Sequence, residues 1–67
     1  MPHQIDIEEI IAATIAHTNH LLDRGEISIE IAVLGLSKIL YNLSERCPEQ
    51  SEMIYFQLTE WKRAHSN

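Results

Sequence analysis

Three residues in the first third of the chain have types and spacing that chemistry uses. His17, His20 and Asp23 recur at intervals of three. On a helix, positions i and i+3 share a face, so two imidazoles and a carboxylate could converge on a divalent metal. Reach argues against it. His17 and Asp23 are nearly two turns apart, about 9 Å along the axis. His20 and Asp23 alone make a poor ligand pair, and a site would need Glu60 or His65 from elsewhere. The Glu-x-x-His repeat of di-iron bundles does not occur. We therefore expect a structural role, with His17 at the edge of the core and His20 in solvent, and assign no metal.

The same residues also resemble a general base, His20, with Asp23 as its orienting carboxylate. No nucleophile or oxyanion donor accompanies them. Thr14 and Thr18, four apart, are expected to bond back to their own helix carbonyls. Cys47 precedes Pro48, so it would stand at a helix N-cap, where a thiolate is favoured. Without a redox partner or a base it is expected to fill a turn. No catalytic residue and no cofactor site is assigned, and the chain is expected not to be an enzyme.

The elements that would position these residues read as three helices. The middle one organises the rest. On a helical wheel, Ile29, Ala32, Val33, Leu36, Ile39, Leu40 and Leu43 fall on one face, about 120° wide, the pattern of a helix with one buried side. The β-branched residues favour a strand, but length and periodicity outweigh them. Ser28 is the expected N-cap, and Glu30 suits the positive end of the dipole. Gly35 interrupts the run, and a mid-helix glycine costs about 0.5–1 kcal/mol relative to alanine. Close approach of a neighbouring backbone could offset that cost.

Helix 1 opens with Asp6 and Glu9, a capping box with Asp in the Ser/Thr role, and Ile5 can staple onto Ile10. Its buried face should be Ile7, Ile10, Ile11, Thr14, Ile15, Thr18, Leu21 and Leu22. Glu8, Glu9, Ala12, Ala16, Asn19 and Asp23 should lie outside. Gly25 fits the left-handed position that closes a helix. The link from Gly25 to Ser28 is so short that helices 1 and 2 must form an antiparallel hairpin. Pro48 ends the middle pattern and suits the first position of helix 3. The expected domain spans 1–67, with helix 1 about 6–24, helix 2 about 29–45 and helix 3 about 48–64.

Five apolar residues do not fit the core faces. Ile31, Leu34 and Tyr41 lie on the far side of helix 2, around Lys38. Met53 and Phe56 point away from the Ile54, Leu58 and Trp61 face of helix 3. Aromatic residues are enriched at the buried centres of interfaces. We therefore expect Ile31, Leu34, Tyr41, Met53 and Phe56 to meet another molecule. Trp61 is expected in the core, with Tyr55 at its flank.

Chain size points the same way. A domain of 67 residues buries only about 60% of its unfolded surface, and disulfides, metals or self-association usually support it. One cysteine cannot form an intrachain disulfide, and 45% hydrophobic content favours association. A homodimer is expected, with a heterologous protein partner as a further option. The charge of −5 and the scattered Arg24, Lys38, Arg46, Lys62 and Arg63 do not suit nucleic acid. No apolar stretch is long enough to span a membrane. The N-terminus lacks the pattern of a signal peptide, and the lone cysteine suits a reducing cytoplasm.

The sequence thus predicts an all-α domain of three helices. Its expected function is that of a small acidic protein–protein interaction module, as an adaptor, inhibitor or regulatory subunit. Two other classes are weighed. A DNA-associated regulator would need a basic cluster formed only in the dimer. A metal-binding or enzymatic bundle would need His17 or His20 to meet Glu60 from another helix or chain.

Overall fold

A computed structural model describes residues 6–66. Helix α1 spans Ile7–Asp23, α2 spans Ile29–Arg46 and α3 spans Ser51–His65, with a single 3₁₀ turn at Pro48–Gln50 before α3. No strand occurs among the described residues. The architecture is the expected all-α one, a hairpin of α1 and α2 with α3 folded against it.

Local chemistry sets most helix ends. Asp6 has an extended backbone, and its carboxylate accepts the Glu8 N–H at 3.0 Å. That satisfies one of the orphan first-turn donors. No return bond from Glu9 completes a capping box among the described residues, and the expected staple through Ile5 lies outside them. The far end of α1 closes in a Schellman motif. Gly25 takes φ +72, its N–H bonds the Leu22 carbonyl at 3.0 Å, and the Glu26 N–H bonds Leu21 at 2.9 Å. Ile27 follows and packs half-buried on the core. Ser28 Oγ then accepts the Ile31 N–H at 3.2 Å and starts α2.

The start of helix 3 corrects the sequence reading. The α-helix begins at Ser51, three residues after Pro48. Cys47 is held at φ −129, ψ 66, outside the α region, as the proline ring demands of its predecessor. The chain re-enters helical geometry through a tight 3₁₀ turn before the α pattern takes over. Cys47 stands at the N-cap of that turn, but its side chain bonds nothing there.

The core is Ile7 and Ile11 from α1, Ala32, Leu36 and Leu40 from α2, and Ile54, Leu58 and Trp61 from α3. On α2 the buried positions are Ala32, Leu36, Leu40 and Ser44, a single strip at four-residue spacing. This is narrower than the face expected. Val33 and Leu43 are half-buried, while Ile29 and Ile39 are exposed. The reason is geometric. One neighbouring helix on each side of a strip covers that strip and leaves its flanks to solvent. α2 packs more extensively on α3 than on α1, and α1 touches α3 least.

Polar bonds complete the packing. Thr14 Oγ1 donates to the Ile10 carbonyl at 2.8 Å, and Thr18 Oγ1 to that of Thr14 at 2.9 Å, the back-bonding that their spacing predicts. Trp61 Nε1 donates to Asn19 Oδ1 at 2.9 Å, tying α3 to α1. Asn19, expected on the outer face, is instead half-buried as the partner of the indole. Ser44 Oγ donates to the Tyr41 carbonyl at 2.8 Å and lies 3.0 Å from the Tyr55 hydroxyl. With its only proton used on the carbonyl, it accepts from Tyr55.

Candidate interaction surface

The residues with chemical potential do not converge. His17 and His20 are both exposed, so His17 is not at the core edge as expected. Among the described residues no three His, Cys, Asp or Glu side chains are placed to hold a metal ion. Glu60 and His65, which a site would have required, face their own helix. Glu60 lies 3.5 Å from Arg63. The His65 ring packs on Trp61 with centroids 4.4 Å apart, and its Nδ1 lies 2.9 Å from the Trp61 carbonyl.

Two open grooves of about 450 Å³ indent the surface. One runs between α1 and α3, floored by Ile11, Ala12, Ile15, Ala16 and Met53. The other lies at the bend, between Ile7 and the Arg46–Gln50 segment. The first is also lined by the polar side chains of Glu8, Asn19 and Gln57, and the second by those of Arg46, Glu49 and Gln50. In the first, Asn19 is already engaged by Trp61.

What the chain does present is an apolar exterior. Leu34 is 69% exposed, Phe56 61%, Ile31 56%, Ile39 49%, Tyr41 48% and Tyr55 43%. Most of these line the outer side of α2 and its seam with α3. Ile31, Leu34 and Tyr41 project from α2 away from its core strip. Tyr41 meets Tyr55 across the seam, ring centroids 5.6 Å apart and tilted by 59°. Such a tilted pair is a favourable aromatic geometry. Phe56 follows Tyr55 on the outer side of α3.

Four of the five residues singled out in the sequence therefore lie on the outside of α2 and α3, and Met53 does not join them. Met53 is half-buried against the core, on the α1 side of α3. An unbranched, flexible thioether fills the space that α1 and α3 leave between them. Sequence reasoning overlooked Tyr55 and Ile39 as surface residues. Tyr55 is one position from Ile54, about 100° around the helix, and that offset was the available signal.

This exterior also carries charge: Glu30 lies one turn before Leu34, and Glu52 and Glu60 stand one turn to either side of Phe56. Lys38 sits between Leu34 and Tyr41, and Glu45 lies one turn beyond Tyr41. The ion pairs among the described residues are Arg24–Glu26 and Glu60–Arg63. The basic residues are dispersed: Arg24 ends α1, Lys38 and Arg46 belong to α2, and Lys62 and Arg63 lie near the end of α3. No described helix is long and apolar enough to cross a membrane.

Fold and surface together define a small three-helix domain whose central helix is apolar on both sides. Comparison with known protein families, curated proteins and solved structures finds no match for this chain.

Proposed function

We propose that the chain is a small acidic protein–protein interaction module that works as a homodimer through the outer face of α2 and the adjoining face of α3. One observation carries the reading: the apolar exterior made by Ile31, Leu34, Tyr41, Tyr55 and Phe56. Isolated exposed apolar residues are ordinary, but a contiguous patch marks an interaction site. At roughly 200 Å² per large side chain, the exposed fractions of these five residues amount to about 550 Å² of uncovered surface. A standard interface buries about 800 Å² per partner, and about 65% of a homodimer interface is apolar. That requires about 500 Å², close to what these five residues offer.

A second copy suits this face better than an unrelated partner on two grounds. Eight apolar residues are buried among the described ones, a small core, and a domain of this size gains stability from association. The patch also carries both signs of charge, Lys38 and Glu45, which a two-fold arrangement can set against each other. The net charge of −5 would suit a basic surface on any further protein bound by the dimer. The exposed and separated His17 and His20 support a binding role over a catalytic one. The half-buried lone Cys47 suits a reducing compartment such as the cytoplasm.

Sedimentation equilibrium tests the reading. The expected mass is twice the 7.7 kDa of one chain. Tyr41→Glu or Phe56→Glu should give a monomer with unchanged helicity. A wild-type chain that stays monomeric at tens of micromolar overturns the proposal.

A further inference from the structure

Ser44 is the polar exception in the buried strip of α2. Ala32, Leu36 and Leu40 precede it at four-residue spacing, and it is only 4% exposed. Alanine would suit both the burial and the helix better. The hydroxyl has two partners. Its proton goes to the Tyr41 carbonyl at 2.8 Å, and its oxygen accepts from the Tyr55 hydroxyl at 3.0 Å. The first bond closes within α2 and would satisfy the group by itself. The second reaches across to α3 and holds the end of an aromatic ring that is 43% exposed. That ring is therefore held at two points, by its hydroxyl on Ser44 and by its tilted contact with Tyr41.

We infer that Ser44 is a positioning residue for the dimer contact: from inside the seam between α2 and α3 it fixes Tyr55, and with it the Tyr41–Tyr55 pair, in the arrangement that the second copy meets. This rests on the dimer proposed above and names the buried group that shapes its surface. Ser44 is too deeply covered to touch a partner, so it acts through Tyr55. The gain is pre-organisation. A side chain already ordered in the free chain loses no rotamer freedom on association. Tyrosine has only two rotatable bonds, so one hydrogen bond at its tip and one ring contact suffice to fix it. Released from Ser44, the ring must be ordered again when the dimer forms. At the low end of the usual cost that is a factor of about 2.3 for each side chain. A two-fold dimer contains two such rings, which makes the effect about fivefold.

The test is a cycle of two substitutions read by sedimentation over a concentration series. Ser44→Ala should leave the chain helical by circular dichroism and weaken dimerisation about fivefold. A purely structural bond would instead lower the melting temperature of the dilute monomer and leave the dissociation constant of the folded chain alone. Tyr55→Phe keeps the ring, removes the same bond from its other end and should weaken the dimer by a similar factor. With the bond already gone, adding Ser44→Ala to Tyr55→Phe should change the dissociation constant less than twofold, the non-additivity of a shared interaction. A wild-type dimer that Ser44→Ala weakens less than threefold overturns the positioning role and leaves the dimer standing. So does a double variant in which the two effects multiply. If Ser44→Ala does not fold, an effect of Tyr55→Phe below threefold decides against the role in the same way. A wild-type chain that is monomeric removes both the dimer and the positioning role.

Discussion

Leu34 and Leu36 are two residues apart on one helix and face opposite ways. Leu34 is 69% exposed and Leu36 is 1% exposed. Truncating each to alanine should therefore damage different equilibria. Fully burying a leucine side chain is worth about 1.5–3 kcal/mol, so covering the exposed part of Leu34 is worth about 1–2 kcal/mol per copy. A two-fold dimer contains two such sites. Leu34→Ala should then cost association about 2–4 kcal/mol, a rise in Kd of roughly 30- to 700-fold. The monomer should hardly notice, since exposed substitutions stay within about 0.5 kcal/mol and alanine is a strong helix former. Leu36→Ala removes a fully packed core residue and should lower folding stability by about 2–5 kcal/mol. Sedimentation over a concentration series reads the first equilibrium. Urea unfolding of the chain, diluted below its dissociation constant, reads the second. If Leu34→Ala lowers monomer stability by more than about 2 kcal/mol, the outer face of α2 is covered within one chain, and the reasoning fails.

Further outcomes follow from individual bonds. Asn19→Leu should leave the Trp61 N–H unpaired at the α1–α3 contact, costing about 1–3 kcal/mol and shifting the tryptophan emission. An unshifted spectrum with unchanged stability would mean that the bond does not tie the helices. Gly25→Ala places a side chain at φ +72 and should lose about 1–2 kcal/mol in a urea titration. Ser28→Ala removes the oxygen that accepts the Ile31 N–H and should cost about 0.5–2 kcal/mol. Ser28→Asp should restore most of it, and failure to do so would remove the capping role.

Several helix ends were legible in short stretches of residues, but the start of α3 was not, since Pro48 opens a 3₁₀ turn and the α-helix begins at Ser51. Asp6, Gly25, Ser28 and Pro48 each act through bonds or clashes within a few residues of themselves, so their effects can be read without knowing the fold. The Leu36 and Leu40 strip and the Ile54, Leu58 and Trp61 face followed from helical periodicity. The surface reading of Ile31, Leu34, Tyr41 and Phe56 came from the same wheels, as residues left over once one face was assigned to the core.

Only the assembled helices decided which flank of each stripe is covered. Ile39 lies within the apolar face of α2 on a wheel, yet it is half exposed, while Leu36 and Leu40 of the same face are buried. Met53 and Phe56 both look surplus on α3, but the gap beside α1 takes up the methionine and leaves the phenylalanine outside. Asn19 looks like a surface residue until Trp61, 42 positions along the chain, is brought to it. Periodicity records how much apolar surface a helix carries and in which directions. The positions of the neighbouring helices determine which of those directions are filled, and those positions depend on contacts between residues far apart in the chain.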